Sequence, residues 1–91
     1  MERKEVEVFS EASNYAIVRM PGRHFPGCVI QGDSLFNLCN NARSIHQRLV
    51  ELGSVELSVN MSELLVALQG RLDHYEKVLG ENRIPLPYIK Q

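Results

Sequence analysis

The sequence predicts an α+β domain in which a three-stranded antiparallel sheet is followed by two helices that cover one of its faces. Two observations predict this fold class: the first third consists of short strand-like segments separated by turn residues, and most of the remainder follows the helical period. The boundary falls at Gly32-Asp33-Ser34, where a turn glycine precedes two side chains suited to capping a helix. A chain of 91 residues has the length of a single domain.

Three short segments are predicted as strands, at about residues 5–9, 15–20 and 28–31. The first alternates polar and apolar residues, and the second is rich in β-branched and aromatic side chains. The turn between them contains Asn14, which tolerates a left-handed backbone. Pro21-Gly22 ends the second strand and Pro26-Gly27 precedes the third, because proline lacks a ladder donor and glycine accepts a positive φ.

Two amphipathic helices are predicted to follow, at about residues 34–52 and 60–79, with an extended tail at 81–91. The first has one apolar stripe at spacings of three and four residues, and Gly53 is suited to end it. Residues 54–59 alternate like a strand and also continue a helical stripe, so both assignments stay open. The capping-box spacing of Asn60 and Glu63 favours a helix start near Asn60, and Gly80 is expected to end this helix.

Composition excludes several classes of protein. A formal charge of −1 argues against a general nucleic-acid binder, and 44% apolar residues argue against disorder over the whole chain. We expect a cytoplasmic protein that does not bind membranes, because the sequence contains neither a signal-type segment nor eighteen consecutive apolar residues. Cys28 and Cys39 are the two cysteines, and in such a protein both are expected to be free thiols.

Catalytic and metal-binding motifs are weak. Gly32-Asp33-Ser34-Leu35 resembles the nucleophile block of GDSL hydrolases over four residues, but the Asp-x-x-His pair that completes their triad is missing from the sequence. A serine without a base is a poor nucleophile, so a helix cap is the better interpretation. The three histidines have no tight metal-ligand spacing. We therefore expect no catalytic residue, no metal site and no cofactor.

The connection between the second and third strands is the best candidate for an interaction site. It places Arg23, His24 and Phe25 between two Pro-Gly pairs, and Arg19 precedes it on the strand. Arginine and aromatic side chains contribute much of the binding energy at interfaces, and loops often carry function. The alternative is an ordinary connection with Phe25 packed into the core. The remaining positions selected here have structural roles in turns or caps: Pro26, Gly27, Gly32, Asp33 and Ser34.

A family resemblance extends over about residues 15–52. The run Pro26-Gly27-Cys28-Val29-x-x-Gly32-Asp33-Ser34-Leu35, followed by Asn41-Ala42, resembles the signature of HicB-like antitoxins. In that family a strand ends in Pro-Gly-Cys, and a Gly-Asp-Thr/Ser-Leu turn opens the first helix. The resemblance implies a protein that binds a toxin-like partner and has no catalytic residues of its own. The whole chain is also similar to a group of small bacterial proteins of unknown function.

Two hypotheses about function follow. The first is a non-catalytic protein-interaction module, such as an antitoxin-like or immunity-like inhibitor, whose partner docks on the sheet edge or on the loop around Arg23. An unpaired edge strand also favours self-association, so we expect a homodimer. The alternative is a small RNA- or DNA-binding domain, whose binding would depend strongly on salt. Its contacts would come from four basic residues: Arg19, Arg23, His24 and Arg43.

Overall fold

The strands and the helices belong to two units of the chain. The computed structural model describes residues 1–90. The first unit spans Met1–Gln31 and contains three strands, and the second begins at Gly32 and contains two helices. The predicted α+β fold, with a three-stranded antiparallel sheet followed by two helices, is confirmed. That the helices cover one face of the sheet stays a prediction.

The sheet has the order β1-β2-β3, and both of its strand pairs are antiparallel. Its strands are β1 (Glu7–Ser10), β2 (Ile17–Arg19) and β3 (Gly27–Cys28). Glu7 lies opposite Arg19 and Val8 opposite Val18, but the register shifts before Ser10. Phe9 is therefore the extra residue of a β-bulge, which twists the first strand locally.

The strands are shorter than predicted, and the third begins one residue earlier than predicted. After Cys28 the ladder keeps one more bond, from the Val29 N–H to the Ala16 carbonyl at 2.9 Å, and pairing then stops. In the first turn the Tyr15 N–H donates to the Ala12 carbonyl at 2.7 Å. The residue with positive φ in this turn is Ser13, at +46°, so the left-handed position precedes the Asn14 expected from the sequence.

The helices are α1 (Gly32–Glu51) and α2 (Val55–Glu81). Gly53 ends α1 as predicted, with φ +72°. Its N–H donates to the Val50 carbonyl and the Ser54 N–H donates to the Leu49 carbonyl, both at 3.0 Å. This pair of bonds is the Schellman motif, in which glycine takes the left-handed position. The short connection and the contacts between the helices make an antiparallel hairpin.

The second helix begins earlier than predicted, so residues 55–59 are helical and the expected start near Asn60 is wrong. Ser54 is its N-cap position, and the carbonyl of Ser54 accepts the first helical bond, from the Ser58 N–H at 2.9 Å. Because Ser54 also closes the Schellman motif of α1, no residues remain for a strand between the helices. Of the two assignments left open for residues 54–59, strand or helix, the helix is correct from Val55 onward.

The end of α2 also differs from the prediction. The helix continues through Gly80, and the left-handed position after it belongs to Arg83, with φ +56°. The Arg83 N–H donates to the Gly80 carbonyl at 3.2 Å, and the Ile84 N–H donates to the Leu79 carbonyl at 2.9 Å. A second Schellman motif therefore ends this helix with arginine where glycine is usual. The chain then continues into the proline-containing tail, whose last residue, 91, lies outside the described residues.

Burial is confined to the helical unit among the residues that the structure describes. The buried residues are Gly32, Leu35, Cys39, Ala42 and Leu72. Around the core formed by Leu35, Cys39 and Leu72 pack four partly buried side chains: Phe36, Leu68, Tyr75 and Tyr88. The core is thus a narrow seam between the first turns of α1 and the middle turns of α2.

Gly32 is the first residue of α1 rather than a turn residue before it. The Tyr75 ring lies against its backbone so closely that a Cβ at this position would overlap the ring. Because the helix begins here, Asp33 and Ser34 lie in its first turn and not at the N-cap. The Asp33 carboxylate accepts the Ser34 N–H at 2.8 Å, and a negative charge in this turn is favourable to the helix dipole.

Candidate functional site

The loop between β2 and β3, residues 20–26, is fixed at its start by a tight turn. Pro21 and Gly22 are its central residues, Gly22 has φ +79°, and the Arg23 N–H donates to the Met20 carbonyl at 3.1 Å. Proline followed by a left-handed glycine is the pattern of a type II turn. The Pro-Gly pair therefore ends β2 as predicted and sets the direction in which Arg23 leaves the sheet.

Arg19 anchors this loop to the sheet. Its Nε and Nη2 donate to the two carboxylate oxygens of Glu7 at 3.0 and 3.2 Å, and its Nη1 donates to the His24 carbonyl at 3.0 Å. The guanidinium carbon also lies 5.3 Å from the centre of the Phe9 ring. Two parallel hydrogen bonds to one carboxylate require a planar guanidinium group, which among side chains only arginine has. Arg19 thus positions the loop, and its charge is already neutralised within the sheet.

The tip of the loop presents an aromatic side chain to solvent. Phe25 is 78% exposed, so the alternative that placed it in the core is wrong. The His24 and Phe25 rings make an edge-to-face contact with their centroids 4.6 Å apart. Among residues 1–90, no hydrogen bond or ion pair holds the Arg23 guanidinium, in contrast to that of Arg19. The loop is therefore anchored by Arg19 of β2 and presents one available arginine and one solvated ring.

A shallow cavity of about 490 Å³ lies beside this loop. Its walls combine β1 with the turn and the following residues, and they include Glu5, Glu7, Arg19, Arg23 and His24. Two carboxylates therefore face two guanidinium groups, so the local charge is balanced. An anionic ligand such as a nucleic-acid backbone would need a clear excess of positive charge here. The four basic residues of the nucleic-acid hypothesis do not act as a free basic set, because Glu7 neutralises Arg19.

Arg43, the fourth basic candidate, belongs to a polar groove of the helical unit that the sequence did not predict. It donates from Nη1 to Asn40 Oδ1 at 2.9 Å and from Nη2 to Gln69 Oε1 at 2.6 Å. Gln69 in turn donates to Asp73 Oδ1 at 2.9 Å. The groove has a volume of about 650 Å³. The Asn40–Arg43 and Gln69–Asp73 pairs follow from helical spacing alone. The bond that connects the two pairs could be predicted only if the register between the two helices were known.

The C-terminal tail contributes Ile89 and Lys90 to the lining of this groove. Tyr88 stacks on Phe36, with 4.0 Å between ring centroids, and its hydroxyl donates to Glu76 Oε2 at 2.8 Å. Lys90 makes an ion pair with the same carboxylate at 3.2 Å. Burial, followed by the hydrogen bond to Glu76, raises the pKa of the Tyr88 hydroxyl far above its ordinary value. Each charged group of the groove has a partner, which indicates a structural network.

Three further features considered in the sequence are a metal site, a membrane-spanning helix and the two cysteines. Within residues 1–90, no three His, Cys, Asp or Glu side chains are grouped so as to hold a metal ion. No helix in the same range is long and apolar enough to cross a bilayer. Cys28 and Cys39 are free thiols, as predicted, the first exposed and the second buried. Cys39 packs against Leu35 and Leu72, and burial raises the pKa of its thiol.

Comparison with curated proteins and with solved structures finds no match. A family model, described as a family of unknown function (DUF6959), matches residues 1–88. The predicted similarity of the whole chain to proteins of unknown function is therefore confirmed. The HicB-like resemblance finds no support in these comparisons and stays an interpretation. Because the match covers nearly the whole sequence, the chain belongs to the DUF6959 family.

Proposed function

We propose that the protein is a non-catalytic protein-interaction module whose partner docks on the β2–β3 loop. The observation that carries the proposal is the solvated Phe25 ring on an anchored loop. Covering such a ring with a partner contributes about 2 kcal/mol, from the apolar area removed from water. Aromatic and arginine side chains are enriched among the residues that dominate binding energies, and Arg23 lies two residues before Phe25.

The anchoring of the loop supports the proposal through the entropy of binding. A loop that must become ordered on binding loses part of its interaction energy. Here the turn at Gly22 and the bond from Arg19 to the His24 carbonyl order the backbone before any partner arrives. The residues that keep the loop in place are distinct from those that remain free to make contacts. This division is what a preformed binding surface requires.

The loop is a better docking site than the sheet edges. β3 has two residues, and β1 has four residues with a bulge at Phe9. Short and bulged edge strands are the features with which proteins avoid adding strands from other chains. Strand addition to the sheet, either by a partner or by a second copy, is therefore the weaker possibility. A partner that contacts the side chains of the loop does not need free backbone donors on a sheet edge.

The class of partner comes from the HicB-like resemblance of residues 15–52. It suggests a toxin-like protein, which this chain would inhibit by covering its surface without any chemistry of its own. An immunity-like inhibitor would act in the same way. The proposal needs only a protein surface with an apolar pocket for Phe25 and an acidic group for Arg23.

The test is a site-specific photo-crosslink in lysate of the native host. The photoreactive amino acid p-benzoylphenylalanine is placed at position 25 of the tagged protein or, as a control, at position 15. Tyr15 is a matched control because it is 77% exposed against 78% for Phe25 and lies before β2 rather than after it. We expect one adduct of defined mass from position 25, resistant to nuclease and absent from position 15.

Two double variants complete the experiment. Arg23→Ala with Phe25→Ala is expected to abolish capture of the partner while the circular dichroism spectrum stays unchanged, and Arg3→Ala with Tyr15→Ala is expected to preserve capture. Unfolding of the first variant would show that the loop is structural and that the proposal is wrong. Capture that vanishes with nuclease and falls steeply with salt would instead identify a nucleic-acid binder.

A further inference from the structure

The helical unit has a half-exposed aliphatic face on the side opposite the polar groove. We call it the heptad face, and it consists of six residues on the two helices and at the C-cap of α1: Leu38, Ile45, Leu52, Leu57, Leu64 and Val78. Each of these side chains is between 37% and 63% exposed. On α1 they follow at intervals of seven residues, and on α2 the same repeat runs through Leu57, Leu64 and Val78, with the exposed Arg71 at the position between the last two. A seven-residue repeat keeps its members on one side of a helix that packs against other helices.

Both stripes lie on the same side of the helical hairpin. At 100° per residue, Ile45 lies about 160° around α1 from Arg43, and Leu64 about 140° around α2 from Gln69. Arg43 and Gln69 meet in the groove, so the stripes on both helices point away from it. The heptad face is therefore one surface that both helices share.

The two stripes are also level with each other along the hairpin. The contact of Tyr75 with Gly32 and the bond from Arg43 to Gln69 fix the register between the helices. In that register Leu52 lies beside Leu57 and Ile45 beside Leu64, as successive rungs. The two level stripes form a ridge of the kind that a helix bundle buries, and in the same register the exposed Arg71 lies beside Leu38.

We propose that a second copy of this chain covers the heptad face. The two hairpins form a four-helix bundle around a twofold axis parallel to the helices, so that α2 of each copy packs on α1 of the other. This arrangement keeps the antiparallel, knobs-into-holes packing that a seven-residue repeat favours. It does not rest on the proposed function, because the β2–β3 loop belongs to the other unit of the chain.

The charges along the borders of the heptad face favour a second copy with this orientation. Arg48 lies on the outer border of the stripe on α1, whereas Glu56 and Glu63 lie on the outer border of the stripe on α2. In the proposed bundle these two borders meet twice, once on each side of the axis. Arg48 then comes close to Glu63 of the partner subunit, and the reverse pair follows by symmetry.

The present partner of Arg48 does not prevent this exchange. Its guanidinium pairs with Glu51 of the same helix at 3.3 Å, and both side chains are more than half exposed. Such surface pairs contribute about 0–1 kcal/mol, so replacing one with a pair at the border of an interface is energetically easy.

The area of the face agrees with the requirement of a specific dimer. Two helices side by side are about 20 Å wide, and the stripe on α2 extends over about 30 Å at 1.5 Å per residue. The stripe on α1 extends over about 20 Å, so the footprint is about 500 Å² per copy, or about 1,000 Å² in total, which is the smallest area expected of a specific protein interface. We infer a dimer that dissociates on dilution rather than a permanent one.

Sedimentation equilibrium of the full chain tests the proposal over a concentration range up to about 1 mM. We expect a monomer–dimer equilibrium and a dissociation constant at least 100-fold weaker for Leu64→Glu. The matched control is Val66→Glu, because Val66 is 68% exposed on the other side of the same helix, and it is expected to leave the equilibrium unchanged. A monomer at all concentrations, or equal effects of both substitutions, would overturn the proposal.

Charge reversal tests the orientation of the two copies. Arg48→Glu and Glu63→Arg are each expected to weaken the dimer about tenfold, because each places like charges together at both borders. An equimolar mixture of the two variants is expected to form a heterodimer as strong as the wild-type dimer, since both borders then pair opposite charges. Failure of the mixture to recover the dimer would exclude this arrangement. The loop variant Arg23→Ala with Phe25→Ala is expected to dimerise like the wild type.

Discussion

The two units of this protein hold their structure in different ways. In the helical unit a few side chains are almost completely buried, with Cys39 at their centre. In the sheet unit, none of the described residues is buried, and Cys28 is exposed. The sheet is instead held by its ladder, two tight turns and the Arg19–Glu7 pair. The helical unit thus obtains its stability from packing, and the sheet unit obtains its shape from turn chemistry and one ion pair.

This difference indicates where a partner has most to contribute. A three-stranded sheet of nine strand residues without buried side chains is marginal on its own. A ligand that binds only the folded form adds to its stability by mass action. A partner on the β2–β3 loop would therefore stabilise the sheet unit while leaving the core around Cys39 unchanged. Measurements on each unit separately test whether the two differ in this way.

The two thiols provide the largest expected contrast. Cys28 should react with a thiol reagent at the rate of a free cysteine, whereas Cys39 should react only when the helical unit opens. A core that opens with about 3 kcal/mol slows the reaction on the order of 100-fold. The rates are measured by stopped-flow labelling, with Cys28→Ser isolating the slow thiol. Two equally fast thiols would show that the helical unit is no more stable than the sheet.

Truncation of one apolar residue in each unit should have unequal effects. Leu72→Ala removes a side chain that is 3% exposed, and we expect a loss of about 3 kcal/mol in the free energy of unfolding. Val18→Ala removes a half-buried side chain of the central strand, and about 1 kcal/mol is expected. Urea denaturation followed by circular dichroism at 222 nm measures the first, and amide exchange on β2 measures the second. Equal losses would contradict a core confined to the helices.

Two glycines of the helical unit should respond to alanine with opposite signs. Gly32→Ala places a methyl group against the Tyr75 ring, and the displaced ring should lower the free energy of unfolding by about 1–3 kcal/mol. Gly70 lies in the interior of α2 with nothing within 4 Å of its Cβ position. Gly70→Ala is therefore expected to raise the free energy by about 1 kcal/mol. Thermal unfolding of both variants measures the direction of each change in stability. A loss of stability in Gly70→Ala would indicate that another molecule approaches the helix closely at this position.

The tail should make the helical unit sensitive to alkaline pH. The folded-state pKa of the Tyr88 hydroxyl is raised by burial and by Glu76, so its contribution is complete below the unfolded-state pKa of 10. That contribution is lost as the pH rises from there through the raised pKa, because the unfolded chain releases this proton more readily. Tyr88→Phe should lower stability by about 1 kcal/mol at neutral pH and reduce the loss above pH 10. An unchanged alkaline profile would assign the effect to the Cys39 thiol, whose pKa is also raised.

The sequence predicted the parts of the fold that depend on local chemistry. The order of strands and helices, the turn at Pro21-Gly22 and the end of α1 at Gly53 follow from the conformations that these residues permit. The start of α2 was missed because Ser54 serves two helices at once, which neither helical pattern shows by itself. The end of α2 was missed because Arg83 adopts a backbone conformation that arginine rarely takes.

The candidate site was predicted less completely, since its geometry depends on register. The sequence selected Arg19 as a binding residue, but the pairing of β1 with β2 places Glu7 directly opposite and turns Arg19 into an anchor. The selection of Arg23, His24 and Phe25 as binding residues stays a prediction, now with an exposed ring at the tip. The polar groove was missed because its bond from Arg43 to Gln69 joins two helices.

The double role of Ser54 has a consequence for how this family can change in length. Because the residues between Glu51 and Val55 end one helix and start the next, a residue inserted or deleted while these caps keep their geometry would rotate α2 by about 100° about its own axis. Leu72 would then leave the seam, and the two rungs that align Leu52 with Leu57 and Ile45 with Leu64 would separate. The turn around Ser13 has no such constraint, because a longer hairpin loop leaves the pairing of its strands intact. Insertions and deletions among relatives should therefore accumulate between β1 and β2 and be excluded between α1 and α2.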